Sequence, residues 1–199
     1  MARWRLRRDG LGEAFAVFEI ATALAGFLLG MNPFDEPDVV RAKDCARAAL
    51  AAGGFAAPAP SGKPGQTLRT HLQDVGPAVA IALLAYLPEG PPVASALASL
   101  ARAISRAVHV PVTAAFGPRY LHSTGQLHKG GPAHIVPVVL TGEPLHDLAI
   151  PGQTHTLGQL RLAQALGDAA ALKEVGKKVL HLHLGADALG GIEELARGW

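Results

Sequence analysis

The chain has 199 residues, 49% of them apolar, and a formal net charge of +2. That length suits one domain with a sizeable core, the apolar share excludes disorder, and so small a charge gives no argument for a nucleic-acid partner. A single cysteine, Cys45, excludes an internal disulfide framework and a cysteine-rich zinc site, and it fits a reducing cytoplasm. The histidines are scattered, and the run HLH at 181–183 alternates faces along a strand, so neither a metal nor another cofactor is expected.

In chain order, RWRLRR at residues 3–8 reads as a solvated basic end. The apolar run AFAVFEIATALAGFLLG, 14–30, is short for a membrane span, contains Glu19 and runs into a proline-rich turn. No A-x-A-like cleavage site follows it, so it reads as a buried core helix from Glu13 to Leu29, ended by Gly30, and not as a signal peptide or a membrane segment. MNPFDEP is a loop, because a residue before proline is pushed away from helix. Pro37 then opens a second helix, with Asp35, Glu36 and Asp38 near its positive end, running to Gly53. Residues 54–68 are rich in proline and glycine and read as a loop.

An alternation follows. Apolar strands are expected at 78–87, 110–116, 134–140 and 178–185, with helices at 91–109, through TLGQLRLAQALGD and AAALKEVGKK, and at the C-terminus. Continuous apolar strands between helices indicate a mainly parallel sheet covered on both faces, in an α/β fold of three layers. Ligands of such sheets sit beyond the carboxyl ends of the strands.

FGPRYLHSTGQLHKGGP, residues 116–132, lies at such an end. Gly117 permits a sharp turn after the strand, and HSTGQ can open a helix whose free N–H groups attract anions. His122 is placed to carry a proton near pH 7, and Ser123 and Thr124 to cap the helix or hold a phosphate. Lys129, Gly130 and Gly131 end the segment. In NPFDEPDVVRAK, 32–43, Lys43 lies within two turns of Pro37 on the second helix.

EIATALAGFLLGMNPFDEPDVVRAK resembles the C-terminal signature of phosphoglucose isomerases, matching at Phe18, Glu19, Gly30, Asn32, Phe34, Asp35, Val39 and Lys43. FGPRYLHSTGQLHKGGP and AIPGQTHTLGQLRLAQALGD are similar to the branch of that family fused behind transaldolase, and the similarity runs through almost the whole chain. The resemblance implies a single SIS-like (sugar isomerase) domain over 1–199, with 1–53 as its helical lead-in. It implies a phosphorylated sugar as ligand and the interconversion of glucose 6-phosphate and fructose 6-phosphate. Lys43 and His122 are the implied catalytic residues, assisting ring opening. Glu36, Ser123, Thr124, Gln126 and Lys129 are the candidate substrate-binding residues.

Two departures bear on activity. The family's glutamine is Glu36 here, and the glutamate of its closing Val-Glu-x-x-Lys is Val40. The family's first SIS subdomain, which carries its phosphate loops and its catalytic glutamate, has no counterpart in this sequence. Glu13 and Glu19 read instead as a cap and a satisfied buried carboxylate. The expectation is therefore an incomplete isomerase, inactive alone, with a non-catalytic sugar-phosphate-binding module or structural subunit as the alternative. Its partners would be a second copy of the chain or the missing subdomain. No nucleic acid or membrane is expected, and the location implied is the cytoplasm.

Overall fold

The computed structural model describes residues 10–35, 37–51, 62–74 and 78–199, which fall into two compact units, Met1–Glu36 and Pro37–Trp199. The division lies inside the expected lead-in, so the second helix belongs with the sheet.

The first unit holds helix α1, Leu11–Leu29, closed by Gly30 in the left-handed conformation at φ 66°. The Gly30 N–H donates to the Phe27 carbonyl and the Met31 N–H to the Gly26 carbonyl, so two end carbonyls are satisfied. The sequence reading of a buried core helix is corrected here. Only Ala14 and Gly26 are buried, while Phe27 and Leu28 are 82% and 81% exposed. The helix is apolar on every face, and no other described element of its unit covers it. By length and composition it could also cross a membrane.

The second unit is a three-layer α/β/α domain. Strands β1 (Ala80–Tyr86), β2 (Val112–Phe116), β3 (Ile135–Thr141) and β4 (Leu180–His183) form one wholly parallel sheet in the order β2-β1-β3-β4. Leu83 of β1 pairs with Ala114 on one side and Val138 on the other, and Val139 pairs with His181. Side-chain alternation sends Leu83, Val138 and Leu182 to one face, against Leu97, Leu100 and Ile104 of α4 (Pro91–Val108) and Ile192 of α7 (Ala188–Arg197). Ala82, Leu84 and Val139 point to the other face, against Tyr120 and against Ala165 and Leu172 of α6 (Leu157–Glu174).

The expected strands and crossovers are thus present, with two differences. TLGQLRLAQALGD and AAALKEVGKK form the single helix α6, because nothing between them breaks a helix. Part of the expected 54–68 loop is helix α3, Pro64–Asp74, started by proline at its first position and anchored by the fully buried Leu68. Residues 54–61 of that loop, and residues 52–53 at the expected end of the second helix, lie outside the described residues.

Helix α2, Pro37–Ala51, lies along α6 rather than on the sheet, and the approach is close. A Cβ built on Gly167 would sit 2.5 Å from the Ala46 backbone nitrogen, so only glycine fits this crossing. Gly65 in α3 has nothing within 4 Å of such a Cβ. The two positions should therefore respond oppositely to alanine. Gly65→Ala should stabilise by up to about 1 kcal/mol through helix propensity, whereas Gly167→Ala should destabilise by about 1–3 kcal/mol through overpacking. Denaturant unfolding of both variants checks this, and a stabilised Gly167→Ala would contradict the α2–α6 contact.

Candidate functional site

The 116–132 segment is held by its interior side chains. Gly117 continues the ladder, donating its N–H to the Ala85 carbonyl at 2.9 Å. A Cβ there would meet the Tyr86 ring at 2.5 Å, so glycine is required by this aromatic neighbour and not by an unusual φ. A 3-10 turn, Arg119–His122, follows and then the short helix α5, Gly125–Gly130. The expected helix start falls at Gly125, with Thr124 at the N-cap. The N–H groups of Ser123 and Thr124 both donate to the Tyr120 carbonyl, and α5 has only six residues. The turn faces Tyr120 and Leu121 inward and leaves His122 exposed.

Beneath the turn lies a buried polar cluster. Lys129 Nζ stands 2.6 Å from Asp168 Oδ1, with both side chains at 0% exposure. The Tyr120 hydroxyl donates to the other carboxylate oxygen of Asp168, and the ammonium also lies 5.8 Å from the Tyr120 ring centre. Burial pushes the Asp168 carboxyl up to about 7, opposed by the Tyr86 hydroxyl. The neighbouring ammonium pulls it further toward the ionised form. Burial, followed by the Asp168 charge, drives the Tyr86 hydroxyl well above its ordinary value. Lys177 closes the far end of α5, donating to the carbonyls of Gly131 and Pro132 at 2.9 and 2.6 Å.

Above this cluster a cavity of about 290 Å³ opens between three elements. Helix α2 contributes Lys43 and Arg47, with Ala42, Ala46 and Leu50 below them. The turn contributes Pro118, Leu121 and His122, and α6 adds Leu160 and Gln164. Lys43 and Arg47 are four apart, so they project from one face of α2. One Arg47 nitrogen is taken by Asp44 Oδ1 at 2.6 Å, and a guanidinium has further donors. The result is an apolar floor with two cations, one imidazole and one amide at its edge. That set suits an anion joined to a polar, hydroxylated body. Among the described residues no carboxylate lines the cavity.

The two expected catalytic residues, Lys43 and His122, therefore share one pocket. The expected binding residues do not join them. Ser123 is exposed and its hydroxyl donates to the Tyr120 carbonyl at 3.2 Å. Thr124 stands at the N-cap of α5 without a capping bond, and Gln126 is half-buried outside the cavity lining. Lys129, expected at the ligand, is inside the domain on Asp168, because a lysine on the inner face of α5 meets the buried carboxylate first. Glu36 lies outside the described residues. Sequence reasoning missed Arg47, one turn beyond Lys43, and Gln164, inside the AQALGD run. The helical spacing from Lys43 could have found Arg47; only the fold places Gln164.

Fold and pocket thus define an α/β domain with a cationic, histidine-bearing cavity where two helices meet a strand-end turn. No family model matches the chain, and no curated protein matches it. Among solved structures the chain is similar to a hypothetical protein from Thermus thermophilus, at 19% identity and a TM-score of 0.53 over 82% of this chain. The chain spans 44% of that protein's length, and the likeness shows the fold.

Three further histidines lie within the domain and give it a pH dependence. His128 packs edge-on against Tyr120, and burial, then Lys129 and Lys177, lower it to about 4. His181 and His183 do not alternate faces as expected: positions two apart in a strand share a face, and both rings converge on the Thr141 hydroxyl at 2.8 and 3.0 Å. Burial, then the neighbouring His183 and Lys173, lower His181 to about 4, and burial lowers His183. Each imidazole takes its proton more readily in the unfolded chain, so these groups leave stability intact above about pH 6.5 and erode it as pH falls toward 4. After allowance for solvent screening the loss should be on the order of 3 kcal/mol. Thermal melting from pH 7.5 to 4 should show it, with a shallower slope in His128→Leu. A melting temperature flat through that range would contradict neutral interior histidines.

Proposed function

We propose that this chain is the SIS-like C-terminal part of a glucose-6-phosphate isomerase and binds a phosphorylated sugar between α2, the 3-10 turn and α6. The observation that carries this reading is the meeting of Lys43 and His122, from two separate sequence motifs, in one cavity that also holds Arg47. Lys43 and Arg47 supply the charge for a phosphate or for developing negative charge on the sugar. Opening the sugar ring requires a proton on the ring oxygen as the C1 hydroxyl loses one. His122 is the group in the cavity that can relay it. Gln164 can hold a hydroxyl.

The next step, moving a proton between C2 and C1 through an enediol, needs a carboxylate base. None lines the cavity among the described residues, which is why the isomerase is read as incomplete. The exposed apolar helix α1 is the surface proposed to meet the missing part or a second copy of the chain. A reducing, cytoplasmic setting goes with the single cysteine. The absence of a base equally supports a second reading, a sugar-phosphate-binding module without turnover.

Titration calorimetry with fructose 6-phosphate, run beside a coupled isomerase assay, tests this. The expected result is saturable binding in the range usual for metabolites, about 1 μM to 1 mM, without measurable turnover by the chain alone. Lys43→Met and His122→Ala should each weaken binding, Lys43→Met by about tenfold, with melting temperatures unchanged. Turnover that appears on adding the missing subdomain would separate the isomerase from the binding module. No binding up to about 10 mM, well above ordinary KM values, would reject both.

A further inference from the structure

We infer a second ligand site, for a small anion carried on an apolar body, at the carboxyl ends of β1 and β3. The topology makes this place distinctive. From β1 the chain crosses through α4 to β2, on one side, and it then returns through α5 to β3 on the other. Strands β1 and β3 are hydrogen-bonded neighbours whose following loops part in opposite directions, and a crevice opens where they part.

A cavity of about 340 Å³ fills that crevice, between Pro88 after β1, the segment 144–148 after β3, and the first turns of α6. It is separate in its lining from the Lys43–His122 cavity: no residue is common to the two. Its polar side chains are His146, Asp147 and Arg161, and Asp147 and Arg161 attract one another. The Arg161 side chain is half-buried, and its Nη2 atom is buried with no hydrogen-bond partner. A buried donor without an acceptor is costly, the more so on a charged group, and a ligand anion would satisfy it.

The start of α6 itself is already occupied. Asp147 accepts from the Thr156 hydroxyl at 2.6 Å and the Gly158 N–H at 2.7 Å, and Thr156 and Gln159 form a reciprocal cap. The Thr156 hydroxyl, then the Gly158 N–H, hold the Asp147 carboxyl below its ordinary value, so it stays ionised and committed to the cap. An incoming anion therefore meets the guanidinium and not the helix N–H groups, and it competes there with the Asp147 carboxylate, which also lines the cavity.

The rim explains the apolar body. Leu145, Leu148 and Leu157 stand 82%, 62% and 50% exposed around the opening, beside Pro88 and Pro144. Three leucines held out at one mouth, above a guanidinium with one buried nitrogen unpartnered, match a ligand with one anionic head and a short hydrocarbon or ring. A bare inorganic ion would leave the leucines in water, and a neutral chain would leave the buried Nη2 atom without an acceptor.

Four probes test the site: hexanoate, hexyl phosphate, inorganic phosphate and 1-hexanol, each titrated into the full chain and followed by amide chemical shifts in ¹⁵N–¹H spectra. Hexanoate or hexyl phosphate should shift residues 144–148 and 157–161 saturably, the tighter of the two identifying the head group. Inorganic phosphate should bind at least about tenfold more weakly and hexanol not at all. Arg161→Met should weaken binding by about tenfold or more. Leu145→Glu, a change at an exposed position that cannot disturb the core, should do the same by repelling the anion. Lys43→Met should leave binding unchanged, which keeps this test independent of the sugar-phosphate reading. No saturable shift up to about 10 mM of either amphiphile, or binding untouched by Arg161→Met and Leu145→Glu, would overturn the site.

Discussion

The ion pair between Lys129 and Asp168 fixes the parts of this domain that lie beneath the Lys43–His122 cavity. Both side chains are wholly withdrawn from water, at 2.6 Å from each other. Removing two charges from water costs several kcal/mol per ion, so such a pair is tolerated only when its remaining lone pairs are satisfied. Here the Tyr120 hydroxyl takes the second carboxylate oxygen and Tyr86 borders the same group. One carboxylate on α6 therefore locates α5 through its lysine and the 3-10 turn through its tyrosine. The preceding residue on α6, Gly167, locates α2 by the absence of a side chain. All three walls of the Lys43–His122 cavity are referenced to adjacent positions on one helix.

This arrangement separates residues that hold the cavity from residues that would act in it. Tyr120, His128, Lys129 and Asp168, on the 3-10 turn, α5 and α6, are interior, while Lys43 and Arg47 on α2 and His122 at the end of the turn are open to water. A polar network that is buried and joined end to end gives a rigid platform, whereas exposed cations are cheap to place and free to meet a ligand. No carboxylate is in the cavity lining among the described residues, so under the proposed reading the platform would be one side of a reaction centre. An aldose–ketose isomerisation would need the other side from elsewhere.

Much of the fold was legible because parallel strands buried on both faces leave continuous apolar runs, as AVAIALLAYL and HIVPVVL do. Lys43 and His122 were legible as members of motifs. Their meeting was not, because the α2–α6 packing rests on Gly167 and Ala46, small residues without a periodic signal of their own. Lys129 was misread for a physical reason. A lysine among glycines and histidines looks like surface chemistry until the partner, Asp168, is known to be buried beneath it. Helix α1 failed in the opposite sense: a helix apolar all round implies burial, but no described element of its own unit covers it. The Arg161 crevice left no motif at all, since its parts come from two strand ends and a helix start.

A double-mutant cycle on Lys129 and Asp168 tests the role of the buried pair most directly. The single variants Lys129→Met and Asp168→Leu each strand one buried charge and should lose about 3–5 kcal/mol of unfolding free energy. The double variant strands neither and should recover most of that loss, giving a coupling energy of about 3 kcal/mol or more. Single losses that simply add, with coupling near zero, would mean that the pair is incidental and that something else holds α5, the 3-10 turn and α6 together.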